Sequence, residues 1–124
     1  VKRDMDLIRG ILLEVEAAEP GKFIRYPECG KGHPQRVVAE HMELLADEGL
    51  VEANITHLGA GPVCIIKRLT MAGHDWLDVA RDPILWNRAK QQITESKLES
   101  VSLEVMKNVL TALAQQAISG GLLA

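Results

Sequence analysis

The amino-acid sequence predicts a mainly α fold with a small β-hairpin, an α+β domain carrying one extra helix at its C-terminal end. Three observations predict it. Apolar residues recur at spacings of three and four through residues 4–18, 34–48 and 102–119, the period of a helix with one buried stripe. From Leu50 the period changes to two, and "LGAGP" then turns the chain into a second apolar run, "VCIIKRL". Thr70 and the pair Asp82-Pro83 each open a further helix. Helix, hairpin and helix in that order make a winged helix-turn-helix.

The first helix runs from about Asp4 to Ala18, with Met5, Ile8, Leu12 and Val15 as its stripe and Leu7 and Ile11 beside them. Asp4 caps it, because a carboxylate there accepts from the free amides of the first turn, and Pro20-Gly21 ends it. "KFIRY" reads as a short strand, while Gly30, Gly32 and Pro34 make the following residues a loop. The second helix begins near His33 or Pro34, where proline is harmless because that amide has no helical partner. Val38, His41, Met42 and Leu45 face the core, flanked by Val37 and Leu44, and Gly49 closes the helix after Glu48.

In the first strand Val51, Ala53 and Ile55 alternate with Glu52, Asn54 and Thr56, so one face is buried. Trp76, Leu77 and Ala80 are the apolar residues of the helix after Thr70, and "PILWNRAKQQI" forms the next. The winged-helix domain is expected over 1–93. A linker at 94–101 then leads to the C-terminal helix, which completes a second region, 94–124. Leu103, Met106, Leu110, Leu113 and Ala117 mark that helix, with Val105 and Val109 alongside. So wide a stripe needs a covering surface, and a symmetric homodimer through this helix is the expected solution.

At 124 residues the chain suits one domain, and with aromatics at 3% its core must be aliphatic. A net charge of −3 leaves no general polycation for phosphate, so nucleic-acid contact would have to come from a local patch. Cys29 and Cys64 form no CxxC pair. The opening "VKRDMDLIRG" is too charged for a signal peptide, and no run approaches the roughly 20 apolar residues that span a bilayer. The expectation is a cytoplasmic protein with reduced thiols and no membrane contact.

Three stretches, "KRDMDLIRGILLEVE", "AEHMELLADEGLVEA" and "LTMAGHDWLDVARDPILWNRAK", resemble an uncharacterised phage and prophage family, a domain of unknown function. Its members open with KRDMDLIR, carry a helix with His, Leu, Leu and then Gly-Leu, and continue with LT-x-x-GH-x-[FW]-LD. The resemblance covers roughly residues 2 to 92. It implies a winged-helix fold and a mobile-element origin, and no particular activity. More distantly, "HMELLADEGLV" followed by a hairpin is similar to the core of bacterial transcription regulators.

In a winged helix the helix before the hairpin offers its outward residues to DNA. Here that set is Gln35, Arg36, Ala39, Glu40, Glu43 and Asp47, and residues 34–49 hold one Arg against Glu40, Glu43, Asp47 and Glu48. Carboxylates facing phosphates would remove the term that supplies most affinity. Residues 20–36, by contrast, hold Lys22, Arg25, Lys31 and Arg36 against Glu28, and Lys67 and Arg68 lie on the second strand. A shallow docking on double-stranded DNA would use Lys22, Arg25, Lys31, Gln35, Arg36, Lys67 and Arg68, with Gln35 and Arg36 reaching bases. DNA binding or transcription regulation is therefore the first expectation. The alternative is an interaction module acting on a host or phage protein, since an acidic helix suits a basic partner.

Little in the sequence argues for an enzyme or a cofactor. His74 and Asp78 stand four apart and could form a general-base pair, but no nucleophile accompanies them. The simpler expectation is that His74 packs under the hairpin while Gly73 permits a close backbone approach. Cys29 and His33 are one loop pair, and zinc wants four converging ligands, so no metal is expected. "GAG" at 59–61 lies between two strands, which makes it a turn and not a phosphate cradle. "GGLLA" at the end is a fraying terminus or part of a dimer contact.

Overall fold

Helix α1 spans Met5–Ala17 in the computed structural model, which describes residues 1–121. Asp4 caps it, its carboxylate accepting from the Leu7 amide at 3.1 Å. Leu7, Ile8, Ile11, Leu12 and Val15 are buried, and Met5 is half-buried. Of the expected "KFIRY" strand only Ile24 takes a strand's place. It exchanges backbone hydrogen bonds with Ile66, at 2.9 and 2.8 Å, before the chain bends away.

A single 3₁₀ turn follows, Glu28–Gly30. The Glu14 carboxylate of α1 accepts from the amides of Glu28 and Cys29, at 2.7 and 3.3 Å, and so serves as its cap from a distant part of the chain. In a helix-turn-helix two helices flank the turn; here a 3₁₀ turn stands where the first of them would be.

Helix α2, Gln35–Asp47, begins just after Pro34 and buries Val38, His41, Met42 and Leu45 as the periodicity predicts. Gly49 leaves it at a φ of +75°. His41 is wholly buried. Its Nδ1 donates to the Val37 carbonyl at 2.8 Å and its Nε2 accepts from the Asp4 amide at 2.8 Å. The neutral ring therefore ties α2 to the start of α1 with both nitrogens used.

Strands β1, Val51–Leu58, and β2, Gly61–Leu69, form an antiparallel hairpin. Val51 faces Leu69 and Glu52 faces Arg68, but Ala53 faces Ile66, so Lys67 is an extra residue on β2. The bulge lets Ile66 and Leu69 both be buried although they stand three apart, with half-buried Lys67 and exposed Arg68 between them. A strict period of two would have exposed one of the pair.

Helix α3, Met71–Ala80, starts at Thr70, whose hydroxyl accepts from the Gly73 amide at 3.1 Å and donates to the Gly49 carbonyl at 2.5 Å. A Cβ on Gly73 would run into the Leu50 carbonyl oxygen, so the predicted close approach is real. His74 departs from expectation. It lies exposed, its Nδ1 3.9 Å from Glu16, and not under the hairpin, because Gly73 alone fills that crossing.

The layout is thus α+β and winged-helix-like. The elements up to Leu77 make one compact unit, and a second begins at Asp78. In the second unit, α4 spans Pro83–Glu95 behind the Asp82 cap, which accepts from Ile84 and Leu85 at 2.8 and 3.3 Å. Helix α5 spans Leu103–Gly121. Leu103, Met106, Leu110 and Leu113 are buried within this single chain, while Ala117 and Val105 are exposed. The last three residues of "GGLLA" lie outside the described part. No helix among the described residues is long and apolar enough to cross a membrane.

Candidate functional site

The splayed path of the chain after Ile24 opens a cleft of about 610 Å³ in the first unit. Its walls are the loop from Arg25 to Lys31, the start of α2, and β2 from the turn to Cys64. Four of the seven predicted contact residues converge on it: Arg25, Lys31, Gln35 and Arg36. Lys22, Lys67 and Arg68 lie outside its lining, the last two because they stand at the end of β2 remote from the turn.

The basic groups come with their own counter-charges. Lys31 meets Glu28 at 2.6 Å, which raises its pKa above the ordinary lysine value. The Arg36 Nε lies 3.4 Å from Glu40, and a Cβ on Gly61 would lie 3.3 Å from the Arg36 stem, so this side chain spans the mouth. Lys22 meets Glu19 at 3.6 Å and Arg68 meets Glu52 at 2.8 Å. Arg25 sits over the Tyr26 ring, 5.0 Å from its centre, a cation–π distance. Exposed pairs such as these add little stability. Their consequence is electrostatic: a phosphate approaching Lys31 or Arg36 must displace a carboxylate, whereas Arg25 meets none among the described residues.

The predicted outward carboxylates of α2 are not all free to face a ligand. Side chains of Glu40 and Glu43 are only 26% and 25% exposed, whereas Asp47 is exposed. Glu43 is held by His57 Nε2 of β1 at 2.5 Å, a tie between α2 and the wing.

The sequence reading missed the apolar part of the lining. Tyr26 is 62% exposed and Leu58, at the hairpin tip, 58%. Pro62 and Val63 continue the surface from β2, and Val38 and Ala39 from α2. One signal could have found them: "KFIRYP" sets two aromatic residues among cations in a stretch with no period to bury them. Between Thr56 and Val63 the hairpin carries no Lys or Arg, so the tip itself is uncharged apart from His57.

Other candidate chemistry disperses. The Cys29 thiol is pushed up to about 12 by burial and by the Glu14 carboxylate, and burial with Glu43 pushes Cys64 to about 11. Neither is a thiolate near neutral pH, and the thiolate is the reactive form. Cys29 packs its sulfur onto Gly10 of α1, while His33 lines the cleft. The Asp78 carboxylate accepts from Arg81 at 3.0 Å. Among the described residues no group of three or more His, Cys, Asp and Glu is placed to hold a metal ion.

The family described as "Hypothetical protein (DUF2513)" matches residues 2–99. The chain is also 33% identical over 120 residues to an "Uncharacterized protein" of Haemophilus influenzae, covering 96% of this chain and 100% of that one. No solved structure matches it.

Proposed function

The chain belongs to the DUF2513 family, and from that premise we propose that it is a non-catalytic binding module whose cleft holds a segment of a partner protein. The observation that carries this reading is the lining. Exposed Tyr26 and Leu58, with Pro62 and Val63, give the cleft an apolar surface, and of the cations at its rim Lys31 and Arg36 each already meet a carboxylate. Protein interfaces combine an aromatic and aliphatic centre with a polar rim in this way. The high thiol pKa values, and a His74 placed beside Glu16 with no nucleophile paired to it among the described residues, favour binding over catalysis. The phage or prophage resemblance fits a partner from the element or its host.

A second reading, a shallow docking on duplex DNA, is favoured by the convergence of Arg25, Lys31, Gln35 and Arg36 on one surface. Against it stand the uncharged wing tip, the acidic α2 and the loss of the helix that usually crosses the DNA backbone. Fluorescence-anisotropy titration with mixed duplex at low salt separates the two. The protein-binding reading expects no saturation. Saturation that weakens steeply with salt, and that Arg36→Ala weakens without moving the melting temperature, would overturn it in favour of DNA.

A further inference from the structure

We propose that the partner segment enters the cleft as an added β-strand, pairing its backbone with the edge of β2 that Ile24 leaves open. The inference rests on the protein-binding reading and deepens it. Ile66 uses its amide and carbonyl on Ile24, and so points both away from β1. Backbone groups of an antiparallel strand alternate between its two edges, residue by residue. Cys64 and Pro62, two and four residues before Ile66, therefore present their groups to the same edge.

Among the described residues, Ile24 is the single backbone partner on that edge. Pro62 has no amide to offer, which leaves the Cys64 N–H and two carbonyls as the open set. All three lie where β2 forms a wall of the cleft, and Cys64, only 2% exposed, marks its floor. Unpaired edges of this kind are templates for strand addition, in which main-chain bonds hold the peptide and pockets select alternate side chains.

The rim defines the occupant. Arg25, Lys31 and Arg36 surround the open edge, against Glu28 alone among the lining residues. The fitting segment is extended, with an Asp or Glu towards Arg25, which meets no carboxylate among the described residues, and an apolar side chain towards Tyr26 and Leu58.

The test uses the full chain and a display library of short peptides, half of them with a central Asp or Glu. Enrichment of acidic–apolar sequences is expected, with affinity lowered about tenfold by Arg25→Glu. N-methylation of peptide amides, one at a time, should weaken binding about tenfold at alternate positions and leave the intervening ones unaffected, and the Cys64 amide should exchange more slowly in the complex. A peptide that binds with a flat N-methyl scan and unchanged Cys64 exchange overturns strand addition while the protein-binding reading survives. Enrichment of no peptide overturns both.

Discussion

At its base the hairpin buries Val51, Ile66 and Leu69, and the backbone of α3 passes so close that only a glycine fits at residue 73. At its tip it exposes Leu58, and its turn residues Gly59 and Ala60 are exposed too. The same two strands thus serve two purposes. The base is locked by packing and by Thr70, which joins Gly49 to Gly73 through one hydroxyl. The tip is held to the rest through the His57–Glu43 tie and the Arg36 stem, and beside it lies the cleft. Folding free energy concentrates where apolar area is removed from water; a binding surface must leave that area available.

Substitutions at the two ends should separate accordingly. Gly73→Ala is expected to have the largest effect, more than about 3 kcal/mol lost in urea denaturation, because a backbone carbonyl cannot move aside as a side chain can. Loss of less than about 1 kcal/mol would show that α3 can shift off Leu50. His41→Leu keeps the volume but leaves the Asp4 amide without its acceptor, and about 2 kcal/mol should be lost by the same measurement.

The thiols give a pH-dependent test. Both stand above the ordinary value of 9.0 in the folded protein. The folded state therefore holds these protons more tightly than the unfolded chain. The stability they contribute is fully present below about pH 9 and is lost as pH rises towards 11 for Cys64 and 12 for Cys29. Thermal melts across that range should fall more steeply for the parent than for a Cys29→Ala, Cys64→Ala double variant; parallel curves would remove the thiols from the account. The smallest expected effect is at the tip. Leu58→Lys should change stability by less than about 0.5 kcal/mol, since the side chain is already in water. A larger loss would mean that Leu58 belongs to the core and not to a binding surface.

How much of the site was legible differs sharply from how much of the fold was. Arg25, Lys31, Gln35 and Arg36 were chosen for charge and for position near the start of α2, and they do line one cleft. Lys67 and Arg68 carry the same charge, but they stand at the far end of β2 from the turn, beside the base of the hairpin and away from the cleft. Leu58, the last residue of β1, went unnoticed because a single apolar residue outside a buried stripe signals nothing until a cavity gathers it with others.

What the residues determined alone was everything that acts within a turn or two of chain. The α1 and α2 stripes, the Asp4 and Asp82 caps, Gly49 at the helix end and the change to a period of two all depend on neighbours no more than four positions away. Tertiary structure decided the contacts between residues far apart: Glu14 capping a turn across fourteen residues, His41 meeting Asp4 across thirty-seven, Ile24 pairing with Ile66. Such pairings have no period to announce them. They follow from which surfaces the buried stripes bring together, and the cleft is the space left where one of those pairings stops after a single residue.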